Sequence, residues 1–146
     1  MREIHELLRQ IALVSDQHVN TVARNLGVPA TNVHAIGVLR NEPEGVSSTE
    51  LSRALGLSLP ATTALVNRLV ASGHAERSTS PVDARRVLIR ATPTALQHSN
   101  SQFEQLNAAL DTVLATRDPE QIEALSGMLA EIHDAFVAAR GSRPTS

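Results

Sequence analysis

The side chains best suited to chemistry in this chain are arginines. All thirteen basic residues of the 146-residue sequence are Arg; there is no Lys and no Cys. Arg53, Arg68, Arg77, Arg85, Arg86 and Arg90 fall within residues 48–92, against Glu50, Glu76 and Asp83. That segment carries +3, whereas residues 1–47 carry −1 and residues 93–146 carry −4, for a total of −2. A planar, permanently charged guanidinium suits phosphate and nucleic-acid contact. Net charge alone argues against a nucleic-acid binder, but its distribution reverses that reading, because the positive charge sits in one segment.

Other chemistries find little support. The absence of cysteine excludes disulfides, thiolate metal sites and cysteine redox sensing. The histidines, His5, His18, His34, His74, His98 and His133, are scattered, and no pair has an obvious ligand spacing with carboxylates. No metal site or cofactor is therefore expected. There is no motif for Ser-His-Asp catalysis and no Gly-rich phosphate loop, so the chain does not read as an enzyme.

The elements that must position the arginines are legible between Ser47 and Thr92. Ser47 and Glu50 have the spacing of a capping box, and Leu51, Ala54 and Leu55 follow at helical spacing. Gly56 suits the helix C-terminus. Ser58 can cap a second helix, with Pro60 tolerated in its first turn, running to about residue 72 before Gly73. Its faces separate: Thr62, Leu65, Val66 and Leu69 point one way, and Pro60, Thr63, Ala64 and Asn67 the other. Two helices joined by a tight turn, with a small polar outer face, form a helix-turn-helix pattern. Strands are predicted over 74–78 and 87–91, with the turn-rich tip from Thr79 to Arg86 between them. The fold class is mainly α, an α+β winged helix.

These residues resemble the MarR family of bacterial transcription regulators. The matching stretches are Ser58 with Leu65-Val66-Asn67-Arg68-Leu69, then Gly73-His74-Ala75-Glu76-Arg77, then Pro81-Val82-Asp83-Ala84-Arg85-Arg86, closing with Ala91-Thr92-Pro93. The Asp-x-Arg of Asp83 and Arg85 is the most family-specific piece. In the recognition helix the family often has Arg where Ala64 stands and Asp where Asn67 stands. The resemblance implies a winged helix over about 30–92, with helices over about 2–26 and 93–140 building a two-fold dimer, all within a single domain spanning 1–146.

The flanking segments fit that plan. Ile4, Leu7, Leu8, Ile11, Val14, His18, Val19, Val22 and Leu26 repeat at helical spacing. Gly27 stops this helix, and Pro29 is suited to open the next, over about 29–40. Gly37 inside that helix suggests close helix packing. Val46 is expected to join the wing sheet as a short strand. Thr92 and Pro93 start a long helix carrying Leu96, Phe103, Leu106 and Leu110. Asp118-Pro119-Glu120-Gln121 starts the last, an N-cap with Gln at the capping-box position, followed by Ile122, Leu125, Leu129, Ile132 and Phe136. Gly141 to Ser146 reads as a polar tail. Leu7, Ile11, Leu125, Leu129, Ile132 and Phe136 are the expected dimer residues. No apolar run approaches the roughly 18 residues of a membrane span, and no signal-peptide pattern appears, so a cytoplasmic protein without membrane contact is expected.

The expected partner is double-stranded DNA with a palindromic operator, since a two-fold dimer places two recognition helices about 34–36 Å apart. Asn67 could bond an adenine edge, and Thr63 could bond a base or touch a thymine methyl. Pro60 and Ala64 complete the groove face. Arg53, Ser58 and Arg68 fit phosphate contacts. Arg85 and Arg86 fit a narrow A·T-rich minor groove, and by resemblance Asp83 would hold Arg85. The same resemblance implies a ligand site near His18, His34 and Phe103, taking small anionic aromatic effectors that release a repressor. The alternative is a winged-helix protein-interaction module that binds no DNA.

Overall fold

The computed structural model describes residues 1–141. Among these the chain forms α1 (Arg2–Leu26), α2 (Ala30–Arg40), α3 (Ser48–Leu55), α4 (Leu59–Ala71), β1 (Ala75–Thr79), β2 (Val87–Ala91), α5 (Pro93–Leu114) and α6 (Pro119–Gly141). It divides into two compact units, Met1–Phe103 and Glu104–Ser146, so the division falls within α5.

The caps explain most boundaries. Ser47 accepts the Glu50 amide and Glu50 returns the bond to the Ser47 amide, the full capping box at the start of α3. Gly56 ends it in the left-handed conformation, φ 67°. Ser58 accepts the Ala61 amide at 3.3 Å and opens α4. Thr92 does the same for Ala95 at 3.2 Å, while its hydroxyl donates to Gly73 O at 2.7 Å. This one side chain ties the turn after α4 to the start of α5. At α6 the capping box is half made: the Asp118 amide donates to Gln121 Oε1 at 3.2 Å.

α3 and α4 meet at 105°, within the usual range for helix-turn-helix pairs. Thr62, Leu65, Val66 and Leu69 of α4 are all buried. They join Ala35, Ile36 and Leu39 of α2, Leu51 of α3, Ala75 of β1, Ile89 of β2 and Ala95 of α5 in one core. Thr62 is the buried polar member among the described residues, and its hydroxyl is satisfied by Ser58 O at 2.9 Å. The α1 residues Val19, Val22 and Ala23 are buried in the same unit. β1 and β2 pair antiparallel, Ala75 opposite Ala91 and Thr79 opposite Val87. Val46 bridges to Ile89 as a third, one-residue strand.

Several expectations shift. β1 begins at Ala75 rather than at His74, because the His74 amide closes the α4 turn onto Leu69 O at 2.8 Å. Pro29 stands as the residue before α2 rather than inside it, with φ −60° and ψ 145°. Gly37 does not mark a close approach: a Cβ built there meets nothing within 4 Å. Gly45 does. Its φ is +91°, and a Cβ would lie 2.9 Å from Arg90 Cγ and 3.1 Å from Ile89 O. Gly141 belongs to α6, and the rest of the expected tail lies outside the described residues.

In the second unit no α6 residue is buried. Val113, Leu114, Ile122, Leu125 and Met128 line an apolar groove between the end of α5 and the start of α6.

Candidate nucleic-acid interface

The site starts with α4. Burying Thr62, Leu65, Val66 and Leu69 turns Pro60, Thr63, Ala64 and Asn67 outward, and all four are exposed. This face is shallow: one proline, one alanine and two short polar side chains. A helix with such a face can approach a base edge closely. The Thr63 hydroxyl donates to Leu59 O at 3.0 Å. What Thr63 can still offer a partner is an acceptor lone pair and a methyl group. Asn67 is held from the wing side, where Arg77 Nη2 donates to its Oδ1 at 2.5 Å. Arg53 and Arg68 are exposed on α3 and α4. Ser58 lies at the N-terminus of α4, where free backbone N–H groups and the helix dipole favour an anion such as phosphate.

The wing tip is built by backbone turns. The Ser80 amide donates to Arg86 O and the Arg86 amide to Asp83 O, both at 2.9 Å. Ser80 Oγ accepts the Val82 and Asp83 amides at 3.3 Å. Asp83 Oδ1 accepts the Arg85 amide at 3.0 Å and faces Arg85 Nε at 3.3 Å. The Arg85 side chain is 92% exposed and that of Asp83 38%. Asp83 is thus held in place while Arg85 projects into solvent. Val82, beside them, is 95% exposed.

Arg86 points elsewhere. Its Nη2 lies 3.3 Å from Glu50 Oε1. Glu50 is the capping residue of α3, and its carboxyl is held below its ordinary value, first by the Ser47 amide, then by the Ser47 hydroxyl and by Arg86. One carboxylate therefore caps α3 and tethers the wing to it. Arg90 is also engaged: Nε donates to Glu44 O at 3.0 Å, beside Gly45. Arg77 and Arg86 thus have partners that fix the wing against α4 and α3, and Arg90 fixes it against the turn between α2 and α3. Sequence reading found the capping role of Glu50 but missed its tether to Arg86 and the role of Arg77. The available signal was that Arg77 follows the α4 turn so closely that it must return beside the helix.

A cavity of about 290 Å³ lies in the first unit. Val22, Leu26, Val33, Ile36, Leu69 and Phe103 make its apolar wall, with His74 and His98 at it. Of the three residues expected near a ligand, Phe103 lines the cavity, and His18 and His34 do not. His18 packs edge-on to the Phe103 ring, centroids 4.9 Å apart, and bonds Gln102 O at 2.8 Å. His34 is exposed, 3.6 Å from Asp16. No group of three or more His, Cys, Asp or Glu side chains able to hold a metal occurs among the described residues. No single helix among them is long and apolar enough to cross a membrane.

The expected dimer residues are largely uncovered. In α1, Leu7 is 50% and Ile11 64% exposed. In α6, Leu125, Leu129 and Phe136 are exposed and Ile132 is half-buried.

The exposed polar helix and arginine-tipped hairpin define a winged helix-turn-helix, and comparison with known proteins agrees. Residues 26–86 match the model of the MarR family. Over 129 residues the chain is 26% identical to the uncharacterized HTH-type transcriptional regulator YcgE of Bacillus subtilis, covering 88% of this chain and 83% of that protein. Among solved structures it is similar to a mutant MepR from a multidrug-resistant S. aureus clinical isolate. There the TM-score is 0.77 at 16% identity, over 91% of this chain and 96% of that one. It is also similar to a mutant MarR from E. coli complexed with operator DNA, with TM-score 0.56 and 21% identity, over 89% and 93% of the two chains. The match to the MarR family falls on residues 26–86, the segment that holds most of the winged helix.

Proposed function

We propose that the protein is a sequence-specific DNA-binding transcription repressor, acting as a homodimer on a palindromic operator. The observation that carries this reading is the pairing of two exposed features on one rigid core. One is the shallow polar face of α4; the other is a wing tip from which Arg85 projects. The first suits the major groove and the second a flanking minor groove. The solved complex of a similar MarR chain with operator DNA supports it. Arg53, Ser58 and Arg68 contact phosphates and set the register, while Asn67 and Thr63 read bases. Arg86 reaches DNA less directly than Arg85, since it is tethered to Glu50. The uncovered apolar residues of α1 and α6 form the two-fold interface, because soluble monomers rarely leave such patches open.

The cavity beside Phe103 takes a small effector whose binding releases the operator. Its wall fits a mostly apolar ligand, and His74 and His98 are the lining groups that can face an anionic one.

An electrophoretic shift with the DNA upstream of its own gene tests the reading. A discrete complex resistant to excess random duplex is expected. Retardation abolished equally by any duplex would instead favour a protein-interaction module.

A further inference from the structure

We propose that Arg77 is a positioning residue that sets which base Asn67 reads, turning a helix that would read adenine into one that reads guanine. The inference rests on the proposed docking of α4 in the major groove. Arg77 lies on β1, which returns from the α4 turn at Gly73 and His74, and its Nη2 donates to Asn67 Oδ1. A guanidinium has donors and no acceptor. Whatever rotamer the amide takes, the atom it turns to Arg77 must be the carbonyl oxygen, so the amide NH₂ is directed away. Both side chains are exposed, so neither is hidden from a docked duplex.

The consequence follows from the hydrogen-bond pattern of the bases. Asparagine reads adenine by accepting from N6 and donating to N7. With one lone pair of its oxygen taken by Arg77, Asn67 keeps a single lone pair for an incoming donor. The donors of the pair, the amide N–H groups and the remaining guanidinium N–H groups, outnumber that one acceptor site. Guanine presents two acceptors in the major groove, N7 and O6, whereas adenine presents one acceptor and one donor. The donor-rich pair therefore favours guanine, with its two acceptors, at the base facing Asn67. This differs from the adenine contact expected from the helix face alone, where the partner on β1 was not visible.

The test uses the full chain and duplexes selected from a random pool, varied one base pair at a time. The position that faces residue 67 is the one where Asn67→Ala loses discrimination. There the wild type should prefer guanine over adenine by about tenfold. Arg77→Ala should erase or reverse that preference while leaving discrimination elsewhere unchanged. Arg77→Lys, which keeps a donor-only partner, should retain it. A circular-dichroism melt establishes that each variant is folded, and the Lys variant decides the matter if the Ala variant is not. A wild-type preference for adenine at that position would overturn the proposal. So would an equal loss of affinity for all sequences in both Arg77 variants, which marks a phosphate contact. Failure of DNA recognition itself has a different signature: the wild type would enrich no sequence from the pool, removing this inference together with the reading on which it rests.

Discussion

Asp83 is an acid in the element proposed to touch DNA. A solvated carboxylate there would oppose binding by repelling phosphate. The geometry gives it another task. One oxygen accepts the Arg85 amide and faces Arg85 Nε, so it fixes both the turn and the direction of the guanidinium. An exposed ion pair contributes only about 0–1 kcal/mol to folding, so its value lies in aiming Arg85 rather than in stability. Arg85→Ala should weaken operator binding and lower the slope of log K against log salt by about one unit. Asp83→Ala should also weaken binding although it removes a negative charge, and the fold should melt almost unchanged. A gain in affinity for Asp83→Ala, measured by fluorescence anisotropy, would show that the acid only repels.

At the scale of elements, two glycines separate what local rules decide from what packing decides. Gly37 lies inside α2 with open space where a Cβ would go. Gly37→Ala should stabilise by about 0.5–1 kcal/mol, because alanine is the better helix former and nothing clashes. Gly45→Ala should destabilise, since it adds a Cβ at positive φ within 2.9 Å of Arg90 Cγ and 3.0 Å of Leu88 Cβ. Thermal melts of the two variants should move in opposite directions. The sequence marked both as glycines and could not rank them. Helix bounds were legible because caps are local: Ser47 with Glu50, Ser58, Thr92 and the terminal glycines lie within a few residues of what they cap. The buried and open faces of α4 were legible because helical period alone separates them. The pairings that shape the candidate site were not. Arg77 reaches Asn67 across ten positions and Arg86 reaches Glu50 across thirty-six, and no short window contains both ends. The cavity lining was misplaced for the same reason. His74 and His98 reach it only through the packing of α4, α5 and the turn between α4 and β1.

For the whole molecule, the question is what covers the apolar residues that the two units leave open. Ile4, Leu7, Ile11 and Val14 of α1 are each at least half exposed, as are Met128 and Phe136 of α6. A second copy is the proposed cover, and a two-fold pair of α4 helices then spans successive major grooves of one duplex face. Net charge fits the same reading: residues 48–92 are positive, while the flanking segments are negative. The most direct measurement is selection of bound duplexes from a random pool, followed by footprinting of the enriched site. The expected site is an inverted repeat whose half-sites are centred about 10–10.5 base pairs apart, one helical turn. Protection of the flanking minor grooves, lost in Arg85→Ala, is expected as well. Enrichment of no sequence, or of a single half-site without its inverted partner, would contradict the dimeric reading.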